Sequence, residues 1–383
     1  MVTSSSTRKK SGLSVGAVIV ALVLLAVIAI AIVAGRDSDG KNQAFDRVTT
    51  VRIVTGSEKM DFFRDPEVVN RLETLGLRVD ATPSGSRKIA TRSDLKQFDA
   101  AFPSSAPAAE KISQENQPRA TFAPFHSPMA VATFDPILSA LEREKVAYQR
   151  DGVWYLNMEK YLELAKSGKR WRDIAPEFPS PLAVQISSTD IRSSNSAAMY
   201  LSIASWVANG GNVPANDAEV AKAVQQVSPL FTHQGYSGGS SAGPFAEYLT
   251  QGMGARPMMM IYESQFIGQQ ISAKTSLSGA MKLAYLDPTI PSQHTLLAFS
   301  GPGQQLGEAL NNDAELQKLA AKHGFRPNTP GVFSNQLQEK GIKPPPEFLA
   351  TVNPPAFERL EQLIEGVSNQ YANTAPPEGA PEQ

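Results

Sequence analysis

The chain has 383 residues, 42% hydrophobic and 19% charged, which is enough apolar material for one large domain or two lobes with packed cores. Its 36 Lys and Arg against 37 Asp and Glu leave a formal charge of −1. Neither sign forms a long run, so the electrostatic footprint required for nucleic acid, or for broad adsorption to anionic lipid, is missing. Cysteine is absent, which excludes disulfides, thiolate metal sites, cysteine nucleophiles and a lipidated cysteine anchor.

The first element is an uninterrupted apolar run at 17–34, "AVIVALVLLAVIAIAIVA", extended without charge back to Leu13. As a helix it reaches roughly 27 Å, close to the ~30 Å hydrocarbon core of a bilayer. It is longer than the roughly 7–15-residue apolar stretch of a cleaved signal peptide, so an uncleaved transmembrane helix over 13–35 is expected. Arg8, Lys9 and Lys10 precede it, while Arg36, Asp37, Asp39 and Lys41 after it are mixed in sign. The positive-inside rule then leaves residues 1–12 in the cytoplasm and the rest of this single-pass protein outside the cell membrane.

A polar linker over 36–48 leads into alternating elements. "TVRIVT" at 50–55, "LRVDAT" at 77–82 and "FDAAFP" at 98–103 read as strands, with a helical stretch at 60–75 and "SAPAAEKI" after the third strand. This alternation predicts an α/β fold. A second set follows, with "PMAVATF" at 128–134, a helix at 136–146, "PLAVQIS" at 181–187, helices from 195 and from Asp217, and "ARPMMMIYE" at 255–263. "MKLAYL" and "HTLLAFS" within 281–300 are late strands, and 313–323 and 356–367 are amphipathic helices. The Pro-rich tail over 368–383 is expected to be disordered.

These elements carry a resemblance. A strand ending in "TGSEK", the "FPSSAPA" after the third strand, "SSTDIRSSNSAAMYL" at a helix start, the loop "GYSGGSSAGPFAEYLTQG" and a strand ending in "IYESQFI" resemble the bacterial extracellular solute-binding proteins of the type II periplasmic-binding fold. The resemblance covers roughly 49–300. It implies two lobes joined by crossover strands and closing over a solute, with lobe one at 49–129 and again at 283–367, and lobe two at 130–282. It departs from the family in keeping a transmembrane helix and in its long C-terminal stretch.

Donor-rich segments mark the expected cleft. Ser57 after the first strand, Ser104 and Ser105 after the third, and Ser193, Ser194, Asn195 and Ser196 before a helix would all stand at the carboxyl ends of strands, where open α/β sheets bind ligands. A helix start also offers unpaired N–H groups and partial positive charge, a combination that holds anions. Ser and Asn in such places also serve simply as N-caps. Arg192 offers a charged donor, with Asp190 as its orienting partner or as half of a solvated ion pair. Tyr262 and Glu263 at a strand end, together with Glu58, would bring carboxylates to the cleft, and a carboxylate repels a bare oxyanion. If both Glu58 and Glu263 line the site, the solute carries a cationic or hydroxyl group or one Glu stays protonated as a donor; weighed with the donor clusters, the expected solute is small and anionic or zwitterionic.

Two other readings stand beside this one. The same fold could serve as a non-transporting interaction or assembly module of the cell envelope, as the anchor, linker and Pro-rich tail suggest. "GYSGG" and "GSSAG" at 235–243 match G-x-S-x-G, with Ser237 and Ser241 as nucleophiles and Asp287 and His294 following in hydrolase order. A nucleophile elbow needs a buried strand directly before it, and "VSPLFTHQ" is a poor one, so no enzyme is expected. His126, His233, His294 and His323 are scattered and there is no P-loop, so neither metal nor cofactor is expected. The partners implied are a small-molecule solute and a membrane transporter or sensor, with no nucleic acid.

Overall fold

The structure, a computed structural model, describes residues 48–234, 241–273, 275–347 and 349–374. Two sheets carry the fold. The first consists of β1 (Thr49–Thr55), β2 (Leu77–Pro83), β3 (Ala100–Phe102), β4 (Ala120–His126), β10 (Gln293–Ala298) and β11 (Arg326–Pro327), in the order β11-β4-β10-β3-β1-β2. The second consists of β5 (Met129–Phe134), β6 (Ala147–Arg150), β7 (Val153–Asn157), β8 (Met259–Tyr262) and β9 (Met281–Asp287), in the order β6-β7-β9-β5-β8.

β1 lies parallel to both its neighbours, β3 on one side and the edge strand β2 on the other. Its sequence explains why: Val51 and Ile53 enter one apolar layer and Val54 the layer on the opposite face, so the strand is covered on both sides. The second sheet has one large core, in which Met258, Met259, Met260 and Trp171 are fully buried, as expected of packing residues.

The chain crosses between the sheets from β4 to β5 and again from β9 to β10. The two crossovers are bonded to one another: Ser127 N–H donates to Ser292 O at 3.3 Å and Met129 N–H to Ile290 O at 2.9 Å. These paired connections join the two sheets at a narrow waist, the place where a hinge between them would lie.

Several expectations are corrected. Residues 181–187 form no strand: only Ala183 and Ser187 make isolated bridges, to Arg170 and to Met259 of β8. Residues 283–287 belong to β9 in the second sheet, since Leu283, Ala284 and Tyr285 pair with β5, so the return to the first sheet follows Asp287. The last helix runs from Phe357 to Thr374, beyond the expected end at Val367. Its residues Leu360, Leu363, Ile364 and Val367 pack into the second sheet's core rather than the first, and the Tyr371 hydroxyl donates to Phe231 O at 3.2 Å. The hairpin β6–β7 was not anticipated; it turns at Asp151 and Gly152, both at positive φ.

Among the described residues no helix is long and apolar enough to cross a membrane. The expected span 13–35, the segment before it, linker residues 36–47, Ser237 and residues 375–383 lie outside the described residues.

Candidate functional site

β1 ends in Thr55 and Gly56, and a single 3-10 turn, Ser57–Lys59, follows. Gly56 leaves room for the carboxylate where it sits: a Cβ on it would stand 2.2 Å from Glu58 Oε1 and would push that side chain aside. The turn buries Lys59 completely. Its ammonium lies 2.6 Å from Glu58 Oε1, 2.5 Å from Ser104 Oγ and 3.1 Å from His294 Nδ1, and 4.7 Å from the centre of the Phe102 ring. Three acceptors meet the three protons of an ammonium.

This geometry fixes the protons around it. His294 Nδ1 accepts, so the ring proton sits on Nε2, which has no partner among the described residues. The imidazole lies among aromatic rings, with Phe325 at 5.3 Å, Phe125 at 5.4 Å and Tyr262 at 6.1 Å between centroids. Ser104 Oγ accepts from Lys59 and donates to Glu58.

Burial alone would raise the Glu58 carboxyl, but the Lys59 charge and the hydrogen bonds from Lys59 and Ser104 outweigh it and hold it low. Burial pulls the Lys59 ammonium down, and Glu58 opposes that pull. Burial, then the Lys59 charge, then His126 hold His294 well below its ordinary value. The cluster is a neutral ion pair around a neutral imidazole.

The second sheet meets this cluster through Asn195 and Tyr262. Asn195 opens the helix Asn195–Ala208, and its amide donates to the Tyr262 hydroxyl at 2.9 Å and, across the sheets, to Ser104 O at 3.4 Å. Asn195 Oδ1 is buried with no partner among the described residues. Burial, and then the Glu58 charge, push the Tyr262 hydroxyl up, so it stays protonated and neutral while accepting from Asn195.

The remaining expected residues stand elsewhere. Ser194 and Ser196 are buried, but they close a hydroxyl triangle with Thr189 at 2.6, 2.8 and 3.0 Å and spend their hydrogen bonds there. Ser105 caps the helix Ala106–Asn116, accepting from Ala108 N–H at 3.4 Å. Ser193 and Ser57 are half-buried, and the Ser193 amide is taken by Asp190 O. Asp190 and Arg192 form a local fork at 2.9 and 2.6 Å, with the Arg192 side chain 58% exposed, so the solvated pair is what forms. Glu263 is turned away from the cleft into a buried fork with Arg326 at 2.6 and 2.7 Å, and it also accepts from the Tyr285 hydroxyl.

The hydrolase constellation is not assembled. His294 Nδ1 faces Lys59, and the Asp287 carboxylate takes the Tyr148 hydroxyl. Ser241 precedes the helix Ala242–Gln251, and Ser237 lies outside the described residues. Among the described residues no group of three side chains could hold a metal ion. A groove between the helices Asp217–Val227 and Phe357–Thr374, lined by Val224, Ser228, His233 and Gly366, is separate from the Lys59 cluster.

The structure therefore gathers Glu58, Lys59, Ser104, Asn195, Tyr262 and His294. Lys59 was not anticipated as a site residue, and His294 was anticipated only for hydrolysis. The one sequence signal for Lys59 is its position three and four residues before Phe62 and Phe63, on what becomes one buried helical face.

No family model matches the chain, and no curated protein matches it. Solved structures do. A solute-binding protein of an ABC transporter from Thermotoga lettingae, bound with alpha-D-tagatose, is 14% identical over 86% of this chain and 96% of its own, with a TM-score of 0.54. The fold is that of the solute-binding proteins. Iron-bound HitA from Pseudomonas aeruginosa matches at 10% identity over 85% of this chain and 100% of its own, with a TM-score of 0.51. The apo ferric ion-binding protein A of Pasteurella haemolytica matches at 11% over 84% and 96%, with a TM-score of 0.50. At these identities the likeness extends to the fold alone.

Proposed function

We propose that this chain is an extracytoplasmic solute-binding protein, tethered by residues 13–35 beside a membrane transporter or sensor, that closes over a small zwitterionic or anionic solute. The observation that carries this reading is the meeting of Glu58, Lys59 and Ser104, from the ends of β1 and β3, with Asn195 and Tyr262 from the second sheet. Open α/β sheets take ligands at such carboxyl ends.

The charges favour a zwitterion over a bare anion. Glu58 and Lys59 neutralise one another, and the Asp190–Arg192 and Glu263–Arg326 pairs do the same. A bare oxyanion entering beside Lys59 would face the Glu58 carboxylate. A solute with both signs could exchange partners with the pair, its anionic end on Lys59 and its cationic end on Glu58, while the buried Asn195 Oδ1 accepts a further proton. Exchange of this kind avoids leaving a buried charge unpaired.

A thermal-shift panel on the full chain, with amino acids, betaines, organic acids, inorganic oxyanions and sugars, tests the reading. A ligand at 100 times its Kd adds about 2.7 kcal/mol. The expected hit is a zwitterion, lost in Asn195→Ala and in Ser104→Ala.

A second reading rests on a specific observation. The Asn195 contact to Ser104 and the full set of Lys59 partners close the site with protein groups alone. A non-transporting envelope module on this fold would have that property. A flat panel on a cooperatively folding protein would select it.

A further inference from the structure

The helix Phe357–Thr374 lies across both lobes. Its first residue, Phe357, is 7% exposed and packs with Val54, Ile89, Ala108 and Ile112 of the first sheet's layer. From the next turn onward, Leu360, Leu363, Ile364 and Val367 belong to the second sheet's core. Gly366 allows the close approach there, since a Cβ on it would stand 2.7 Å from Val224 Cγ2.

Polar contacts repeat this division. On the first lobe, Arg87 forks onto Glu361 at 2.6 Å for both bonds, and Lys111 lies 3.8 Å from Glu358 and 5.1 Å from the Phe357 ring centre. The same Arg87 reaches the second lobe, donating to Ile191 O at 3.0 Å and Arg192 O at 2.8 Å. On the second lobe, Arg359 donates to Asp217 at 2.8 Å and to Ala215 O at 3.1 Å. The segment before the helix is bonded to the hinge, where Thr289 N–H donates to Ala350 O and Val352 N–H to Thr289 O, both at 2.9 Å.

The helix thus starts from the hinge and bridges the two bodies that the hinge joins. Hinge opening must break one of its two attachments. Four large apolar residues hold it to the second lobe, and one ring, one guanidinium fork and the Lys111 contacts hold it to the first. The first-lobe attachment is the weaker, because it buries one large apolar side chain against four.

We propose that this helix is a strap that sets the open-to-closed ratio, releasing Phe357 and Glu361 from the first lobe on opening while staying docked on the second. This rests on the reading of a two-lobed protein that opens, and it requires no particular solute.

The chain has no cysteine, so nitroxides can be placed by Lys88→Cys on the first lobe and Lys222→Cys on the second, both exposed positions. Pulsed electron–electron resonance on the full chain without added solute then reads the distance between lobes. The wild type is expected to give one narrow distance. Phe357→Ala with Glu361→Ala is expected to add a longer distance and to raise the open-to-closed ratio at least about tenfold, a change that corresponds to ~1.4 kcal/mol. Glu361→Gln alone, which leaves the Arg87 bonds to Ile191 O and Arg192 O in place, should open the protein in part, and it covers the case in which the first variant fails to fold. Distributions that match the wild type in folded Phe357→Ala/Glu361→Ala protein, or in Glu361→Gln where the double variant does not fold, would overturn the strap. Since no solute is present, a strap-dependent distance with a flat ligand panel would sink the solute reading and leave the strap standing.

Discussion

Lys59 Nζ lies 3.1 Å from His294 Nδ1 in a site from which water is excluded on both sides, each residue being fully buried. The ammonium makes protonation of the imidazole costly, because a second positive charge would have nowhere to go. A base whose folded pKa is depressed gives stability that is complete above its unfolded value, about 6.5 for His, and that is lost as pH falls through it. The melting temperature should therefore begin to drop as pH falls through about 6.5 and keep dropping towards the depressed folded value, with a slope of at most about 1.4 kcal/mol per pH unit for one group. His294→Gln can still accept from Lys59 without titrating, and it should remove the larger part of that drop. His126, also held low by burial, supplies the rest. A His294→Gln profile as steep as the wild type would refute the assignment.

Removing the cation should cost more than removing the pair. Lys59→Met leaves the Glu58 carboxylate buried without its partner, a change worth about 3–5 kcal/mol of lost stability by denaturant unfolding. Glu58→Gln with Lys59→Met removes both charges and should recover most of that loss. A double variant as unstable as Lys59→Met alone would show that packing of the Lys59 stem, not charge, carries the effect.

The Asp190–Arg192 fork should behave in the opposite way. Arg192 is mostly in solvent and its ring contact to Tyr371, at 5.2 Å, is at the surface. Arg192→Ala is expected to change stability by less than about 1 kcal/mol. It should also leave the affinity for any solute found in the panel unchanged, which isothermal titration would check; a tenfold loss would return Arg192 to the site.

The sequence is legible where one rule dominates and misleading where two compete. "TVRIVT" reads as a strand because β-branched residues alternate over two covered faces, and the "SEK" turn follows from Gly56. Ser194 and Ser196 have the chemistry of a ligand site, but Thr189, five residues before Ser194, absorbs their hydroxyls, and no spacing rule announces a closed triangle. Lys59 reads as a solvated charge because two of the three acceptors that bury it, Ser104 and His294, are brought in from the ends of β3 and β10, far away in sequence. "RDGV" at 150–153 carries the Asp-Gly turn signal of the β6–β7 hairpin, obscured by the helix-like residues around it. "PLAVQIS" has strand composition, yet only Ala183 and Ser187 in it find a bridging partner.

Glycines in the helix Gly301–Asn312 sort into two kinds. A Cβ on Gly303 would stand 2.0 Å from Asp99 O, a backbone atom, whereas one on Gly301 would meet nothing within 4 Å. Gly303→Ala should destabilise by about 1–3 kcal/mol through overpacking. Gly301→Ala should be neutral or stabilising by up to about 1 kcal/mol. Equal melting temperatures for the two variants would contradict the close packing of this helix behind β3.

The Glu263–Arg326 fork lies at the hinge rather than the cleft, and that position separates its effects from those of the strap. Glu263 follows β8, with its N–H on Pro128 O at 2.8 Å, and Arg326 lies on β11 opposite His126. Burial would lower the Arg326 pKa, but the Glu263 charge outweighs it and drives it up, so the guanidinium stays charged. Arg326→Met should then cost about 3–5 kcal/mol, by leaving Glu263 buried and unpaired. Arg326→Lys should fall between, since an ammonium keeps the charge and loses the two-pronged geometry. Because both partners stand beside the crossovers, their separation changes little as the lobes rotate about them. The Lys88–Lys222 distance distribution of Arg326→Lys should match the wild type even as its unfolding midpoint falls. A longer distance in that variant would mean that the fork restrains opening, and that the hinge and the strap share the work of holding the lobes together.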